Sequence, residues 1–355
     1  SIRQVGPKAA KTSIAFAIKK KRPIFLWGPP GIGKSDLVNQ IGADTDRPVI
    51  DVRLALWEPT DIKGIPYFDS NAGTMTWAPP AELPTDPKSK AILFLDELNS
   101  APPAVQAAAY QLILNRKVGT YVLPDGVDIV AAGNRDGDKG VTYRMPAPLA
   151  NRFVHLEMKV DFDDWQDWAT LHGIHPEVVG YVGFAKQDLY DYDPKSPSKS
   201  FATPRSWSFV SDLVADEEID TESLTNLVSG AIGDGLAVKF MAHRKIASKL
   251  PKPDDILDGK VKDLEIKEVS AMYSLTVGLC YELKERADKK VKDWDKMADR
   301  FFEYMMKNFP TELVVMGAKT ALTNYDLPLD ASKMKSFDEF HKRFGKYVMN
   351  AMDTD

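Results

Sequence analysis

Five short runs of apolar residues recur along the first part of the chain, and β-branched, aromatic and leucine side chains dominate them. The runs occupy residues 23–27, 48–54, 91–95, 127–132 and 153–158. Stretches with apolar residues at helical spacing separate most of them, and another such stretch, residues 8–20, precedes the first run. Alternation of this kind favours a mostly parallel sheet covered by helices on both faces. The pattern therefore predicts an α/β domain over residues 1–158.

Two stretches interrupt the alternation and have the pattern of β-hairpins. In residues 65–77, two apolar runs flank a turn-rich segment at 69–73. Further on, residues 117–123 and 127–130 flank Pro124-Asp125-Gly126. We expect both hairpins to be excursions from the sheet rather than parts of its core.

From about residue 160 the chain shows helical patterns only. The predicted helices cover residues 206–215, 221–249, 264–287, 291–308, 311–322 and 336–351. A polar loop is predicted over 187–204, and Pro251-Lys252-Pro253-Asp254 breaks the helical pattern. We therefore expect a helical lid domain over residues 159–250 and a helical C-terminal extension over residues 251–355.

Composition narrows the protein classes that fit. Hydrophobic residues make up 44% of the chain and charged residues 27%, which is ordinary for a globular protein. The net charge of −5 provides no overall basic field that would attract nucleic acid. No apolar run approaches the roughly 20 residues that a membrane-spanning helix needs. With one cysteine, Cys280, and no signal-peptide pattern at the first residues, we expect a cytoplasmic protein.

The most informative motif is a phosphate-binding loop. Residues 28–35 read Gly28-Pro29-Pro30-Gly31-Ile32-Gly33-Lys34-Ser35, which has the form GxxxxGK[ST]. A predicted strand precedes the loop and an amphipathic stretch that starts at Asp36 follows it, as the pattern requires. Glycines let backbone N–H groups approach phosphate oxygens, Lys34 can reach the β- and γ-phosphates, and the Ser35 hydroxyl can coordinate Mg²⁺. Residues 28–36 are thus predicted to bind a nucleoside triphosphate. We expect ATP, although the loop itself does not distinguish ATP from GTP.

Polar residues follow two of the other predicted strands. The run at 92–95 ends in Asp96 and Glu97, and the run at 130–132 leads through glycine to Asn134. In doubly wound sheets the carboxyl ends of strands line the ligand crevice. Asp96 is therefore predicted to hold Mg²⁺, and Glu97 to orient and deprotonate the attacking water. Asn134 is predicted to hydrogen-bond that water or the γ-phosphate.

Three arginines are candidates for charge stabilisation. An arginine supplied by a neighbouring subunit can stabilise the charge that develops on a transferring phosphoryl group. Arg152, between a short helix and the last strand, is the first candidate for this role, and Arg144 is a second from the same face. Arg205 follows Thr203, a predicted helix cap, and Pro204. A cation at a helix start is unfavourable, and a nearby phosphate would offset that cost.

Taken together, these motifs resemble those of the AAA+ ATPases and, within them, of the MoxR group. The run DELNSAPPAVQ that begins at Asp96 is similar to that group's signature around the second acidic motif. Asp61-Ile62-Lys63-Gly64 and the hairpin after it resemble the helix-2 insert, and residues 117–127 resemble the hairpin before the sensor strand. The resemblance covers roughly residues 8–210. It implies the same roles for Lys34, Ser35, Asp96 and Glu97, and it makes Asn134 the first sensor, Arg152 the trans finger and Arg205 the second sensor.

The resemblance also implies partners. ATPases of this group form hexameric rings and often work with a von Willebrand A-type partner, remodelling proteins or assisting metal insertion. We therefore expect a homo-oligomeric ring that hydrolyses ATP, with Mg²⁺, to remodel or activate a protein client. Two alternatives stay open, namely a nucleic-acid motor and a slow, nucleotide-gated scaffold. Neither the client nor the choice between six and seven subunits follows from the residues.

Overall fold

The computed structural model describes residues 1–138, 140 and 142–352. Two compact units make up the chain. The first comprises Ser1–Asp161 with Asp193–Ser196, and the second comprises Phe162–Tyr192 with Pro197–Asp355. The stretches predicted as lid and extension lie almost entirely in the second unit, so their division into separate domains stays a prediction.

A parallel sheet organises the first unit. Its strands are β1 (Gln4–Val5), β2 (Ile24–Trp27), β3 (Val49–Arg53), β4 (Ile65–Asp69), β5 (Thr74–Ala78), β6 (Ile92–Asp96), β7 (Lys117–Val118), β8 (Tyr121–Val122), β9 (Asp128–Gly133) and β10 (Val154–Met158). Six of these strands form one sheet in the order β1-β10-β2-β9-β6-β3, and every neighbouring pair in it is parallel. The five strands that the apolar runs predict all lie in this sheet.

Helices cover both faces of the sheet, because successive side chains of a strand point to opposite faces. These helices are α1 (Pro7–Lys19), α2 (Lys34–Asp44), α3 (Pro59–Lys63), α4 (Pro103–Asn115) and α5 (Ala147–Ala150). In β2, Ile24 and Leu26 pack with the buried residues of α1 and α2. Phe25, between them, packs on the other side with residues of α3 and α4. The predicted α/β fold is confirmed.

One of the two predicted hairpins differs from its prediction. The hairpin at 65–77 is confirmed as the antiparallel pair β4–β5. The second prediction is wrong in its extent, because β7 pairs with β8 through a tight turn at Gly119, while residues 128–133 form β9 between β2 and β6. All six residues of β9 are buried. Burial between two strands outweighs the local turn signal of Pro124-Asp125-Gly126.

The second unit is helical, as predicted. Its helices are α6 (Phe162–Leu171), α7 (Pro176–Phe184), α8 (Pro204–Val214), α9 (Thr221–Ile232), α10 (Asp234–Ala247), α11 (Pro253–Leu257), α12 (Val269–Asp288), α13 (Trp294–Asn308), α14 (Thr311–Lys319) and α15 (Phe337–Met352). The single helix predicted over 221–249 is wrong, since Gly233, with φ of 92°, separates α9 from α10. Within the described residues, no helix has the length and apolar character to cross a membrane.

Candidate nucleotide-binding site

The predicted phosphate loop lies between the end of β2 and the start of α2. Gly31 and Gly33 have φ of 75° and 101°, a region that L-residues with side chains rarely adopt. Helix α2 begins at Lys34, with Asp36 in its first turn. Lys34 Nζ donates hydrogen bonds to the carbonyl oxygens of Gly28 and Pro29, at 2.5 and 3.0 Å. The loop thus curls around its own lysine at a helix N-terminus, which is a geometry suited to phosphate.

Ser35 and Asp96 meet although they lie far apart in the sequence. The Ser35 hydroxyl donates to Asp96 Oδ2 at 3.1 Å, and the Glu97 N–H donates to Asp96 Oδ1 at 2.8 Å. Mg²⁺ at nucleotide sites takes one or two protein oxygens and completes its shell with phosphate and water. The adjacent oxygens of Ser35 and Asp96 fit that requirement.

Glu97 has a strained backbone at the end of β6. Its φ of 56° lies in the left-handed region, which costs a residue with a side chain about 1–3 kcal/mol. Strain of this kind persists where the surrounding structure enforces it, and it is frequent at functional sites. The conformation turns the chain sharply after the buried strand, immediately beside the oxygens of Asp96.

The charges around Glu97 perturb its acidity. Burial raises the pKa of the Glu97 carboxyl above its ordinary value, and the negative charge of Asp96 raises it further. The positive charges of Arg53 and Lys34 partly oppose this increase. The pKa of Asp51, on β3, is raised in the same way by burial and by Asp96. Raised carboxyl pKa values in a cleft are typical of groups that transfer protons.

Asp51 and Arg53 are charged neighbours that sequence reasoning missed. Arg53 is the last residue of β3 and lies opposite Asp96 in the parallel register. The alternation along β3 was visible in the sequence, but its pairing with β6 was not. Without that register, nothing in the sequence relates these two residues to Glu97.

Asn134 follows β9 and is held by a second asparagine that the sequence reasoning also missed. Asn99 is 2% exposed. Its Nδ2 donates to the Asn134 carbonyl at 2.8 Å, and its Oδ1 accepts from the Asn134 N–H at 3.2 Å. Gly133 makes room for this contact, because a Cβ there would lie 2.3 Å from Asn99 Oδ1. The end of β9 is thereby tied to the segment that follows the acidic pair.

The phosphate loop joins the same strand ends, because the Gly28 N–H donates to the Gly133 carbonyl at 3.2 Å. The structure therefore brings together the predicted loop residues, both acids and Asn134 at one edge of the first unit. The loop residues are Gly28, Pro29, Pro30, Gly31, Ile32, Gly33, Lys34 and Ser35.

The predicted arginines are exposed. Arg152 follows α5, and its backbone N–H donates to the Leu149 carbonyl at 2.9 Å, while Arg144 lies in the loop before α5. Within the described part of the chain, neither Arg144 nor Arg152 has an ion-pair partner.

Arg205 belongs to the second unit and is exposed at the second residue of α8. The predicted cap of that helix is confirmed, since Thr203 accepts from the Ser206 N–H at 3.0 Å. The roles of all three arginines stay predictions.

Comparison with known proteins finds a family match within the first unit. Residues 23–153 match the family described as AAA domain (dynein-related subfamily). Midasin from Giardia intestinalis is 29% identical over 192 residues, which are 51% of this chain and 4% of midasin, so the chain corresponds to a small part of that relative.

Solved structures resemble the chain more distantly. The Thermotoga maritima RuvB Holliday junction branch migration motor is 17% identical, with a TM-score of 0.40, over 85% of this chain and 88% of its own. NtrX from Brucella abortus in complex with ADP is 13% identical, also with a TM-score of 0.40, over 95% of this chain and 68% of its own. The family match, together with the parallel sheet and its phosphate loop, shows that residues 23–153 of this chain resemble an AAA domain.

Proposed function

We propose that this protein is a ring-forming, Mg²⁺-dependent ATPase of the MoxR-like kind, which hydrolyses ATP to remodel a protein partner. The observation that carries the ATPase assignment is the hydrogen bond from Ser35 to Asp96, with Glu97 beside it and the phosphate loop around Lys34. These are the groups that metal-assisted phosphoryl transfer to water requires.

Each residue has a definite task in this proposal. Ser35 and Asp96 hold Mg²⁺, which when bound neutralises charge on the β- and γ-phosphates. Lys34 and the loop N–H groups hold the phosphates. Glu97 accepts the proton of the attacking water, and Asn134 orients that water by a hydrogen bond. Hydrolysis then yields ADP and phosphate, and the proton on Glu97 returns to solvent.

The exposure of Arg152 and Arg144 supports a shared site. Among the described residues neither guanidinium has an ion-pair partner, so both are available to an anion on a neighbouring subunit. We assign Arg152 as the residue that reaches the γ-phosphate of the next subunit in a ring of six, with Arg144 as the second candidate. For Arg205, at a helix start in the second unit, the role of second sensor that the resemblance implies is kept as part of this proposal.

The exposed hairpin β4–β5 supports a protein partner. Phe68 and Met75 pair across the hairpin and are 70% and 67% exposed. Aromatic and methionine side chains are enriched where proteins bind proteins. Nucleic-acid binding depends mainly on lysine and arginine contacts to phosphate, and neither residue occurs in β4 or β5. We therefore favour a protein client, with a von Willebrand A-type partner as one form of it. The compartment we propose is the cytoplasm, because a single buried cysteine, Cys280, fits a reducing environment.

Two variants test the ATPase proposal by phosphate release. Glu97→Gln should lower kcat by about 10²–10⁴-fold and leave ATP binding intact, since only the proton acceptor is lost. Arg152→Ala should lower kcat by about 10³–10⁵-fold. Glu82→Gln and Arg22→Ala make the same chemical changes at exposed positions and should leave kcat unchanged. Unchanged turnover in Glu97→Gln would reject the assigned base.

Assembly and partner class need separate measurements. Sedimentation with ATP should show an oligomer, and hydrolysis by strictly monomeric protein, unaffected by Arg152→Ala, would reject the shared site. Capture on the Glu97→Gln variant with ATP should retain a protein. Stimulation of turnover by DNA or RNA would favour the nucleic-acid motor instead. Phosphate release that is negligible in every assembly state would favour the scaffold.

A further inference from the structure

A histidine of β10 connects the strand before the phosphate loop to the turn that carries Arg152. His155 Nδ1 accepts a hydrogen bond from Trp27 Nε1 at 2.9 Å, and His155 Nε2 lies 2.6 Å from the Ala150 carbonyl oxygen. An indole N–H can only donate and a carbonyl can only accept. Both contacts are therefore satisfied at once only by a neutral imidazole with its hydrogen on Nε2.

The tryptophan end of this connection adjoins the phosphate loop. Trp27 is the last residue of β2 and is followed directly by Gly28, whose carbonyl accepts from Lys34 Nζ. The Trp27 and His155 rings are stacked, with centroids 6.0 Å apart and planes inclined by 27°. Phe25 packs against both rings, with centroids 4.3 Å from Trp27 and 6.0 Å from His155. A change in the direction of the chain at Gly28 would therefore act on this stack.

The carbonyl end adjoins Arg152. Helix α5 has four residues, too few to be stable without support from the rest of the fold. The last carbonyls of a helix have no donor within it, and His155 supplies one to Ala150. The Arg152 N–H donates to Leu149, so the backbone of Arg152 continues from this short helix.

We infer that His155 is a positioning residue, which orients Arg152 for the neighbouring subunit according to the conformation of its own phosphate loop. This inference rests on the proposed function, in which Arg152 acts in trans. It assigns to His155 no contact with nucleotide or water. Replacing His155 should therefore lower ATP hydrolysis at the site of the neighbouring subunit rather than at the site of its own subunit.

Mixed rings distinguish the two sites. The His155→Phe variant keeps a ring in the stack and loses both hydrogen bonds. We expect ATP binding to persist and kcat to fall by about 10–100-fold, the scale on which misplaced catalytic groups reduce rates. Glu97→Gln subunits hydrolyse ATP about 10²–10⁴-fold more slowly but carry an intact Arg152. Mixing the two proteins should raise turnover above the sum of their separate activities, because the intact finger is supplied to the site of the His155→Phe subunit.

The matched control is Arg152→Ala mixed with Glu97→Gln. Recovery in this control but not with His155→Phe overturns the inference, since the defect then lies in the variant's own site. Failure of the control overturns the shared site of the proposed function itself. An unchanged kcat in His155→Phe also overturns the inference.

A second variant keeps the inference testable if His155→Phe does not fold. His155→Gln places an amide N–H near the position of Nε2 and can still donate to Ala150. It should retain more turnover than His155→Phe and recover in the same mixture. If His155→Phe does not bind ATP, the mixing test is made with His155→Gln. The inference is overturned if the mixture with His155→Gln does not recover turnover and the mixture with the Arg152→Ala control does.

Discussion

Replacing Asn99 by leucine should loosen the segment that carries Asn134. The change keeps the number and branching of the side-chain heavy atoms and removes both hydrogen bonds to the Asn134 backbone. A buried polar group that loses its partner costs about 1–3 kcal/mol, and two groups are affected. Since Asn134 itself is half-buried, we expect about 2–4 kcal/mol of local destabilisation.

Hydrogen exchange measures this loss directly. The Asn134 N–H donates to Asn99, so its exchange reports local opening. Since about 1.4 kcal/mol corresponds to a tenfold change, exchange at this amide should accelerate by about 30–1000-fold in Asn99→Leu. The control Asn39→Leu makes the same substitution on the exposed face of α2. Exchange at Asn134 as slow as in the unmodified protein would refute the argument that Asn99 holds this segment.

The remaining predictions concern acidity and helix packing. Arg53 lowers the pKa of Glu97, so Arg53→Gln should raise that pKa further. Glu97 must be ionised to accept a proton, so the acid limb of the pH–rate profile should move to higher pH, whereas an unchanged limb would contradict this. In the second unit, a Cβ at Gly180 would lie 2.0 Å from Ser274 Oγ and 2.5 Å from its backbone nitrogen. Gly180→Ala should therefore destabilise the protein by about 1–3 kcal/mol in thermal unfolding, while Gly230→Ala, with no atom within 4 Å, should not.

Individual strands and helices show which elements a local sequence pattern predicts correctly and which it does not. The five apolar runs predict their strands correctly because a strand buried on both faces needs an uninterrupted apolar sequence. The turn signal at Pro124-Asp125-Gly126 was equally clear, yet it joins β8 to a central strand instead of closing a hairpin. Gly233, with Gly230 and Gly235 close to it, was a local break signal that the helical spacing of apolar residues over 221–249 concealed.

The sequence itself determined those parts of the candidate site whose residues are consecutive in the chain. A phosphate loop works through consecutive backbone N–H groups and two adjacent side chains, so residues 28–35 contain the whole motif. Asp96 and Glu97 likewise lie at the end of one strand and could be found from its pattern.

Contacts between residues far apart in the chain were decided by the tertiary structure alone. The hydrogen bond of Ser35 to Asp96 and the contact of Trp27 with His155 join residues far apart in the sequence. They depend on the order of the strands and on their register, and both are set by how the two faces of the sheet pack against their helices. Since a parallel strand finds its neighbours through the whole core, no local pattern specifies which side chains meet at its end.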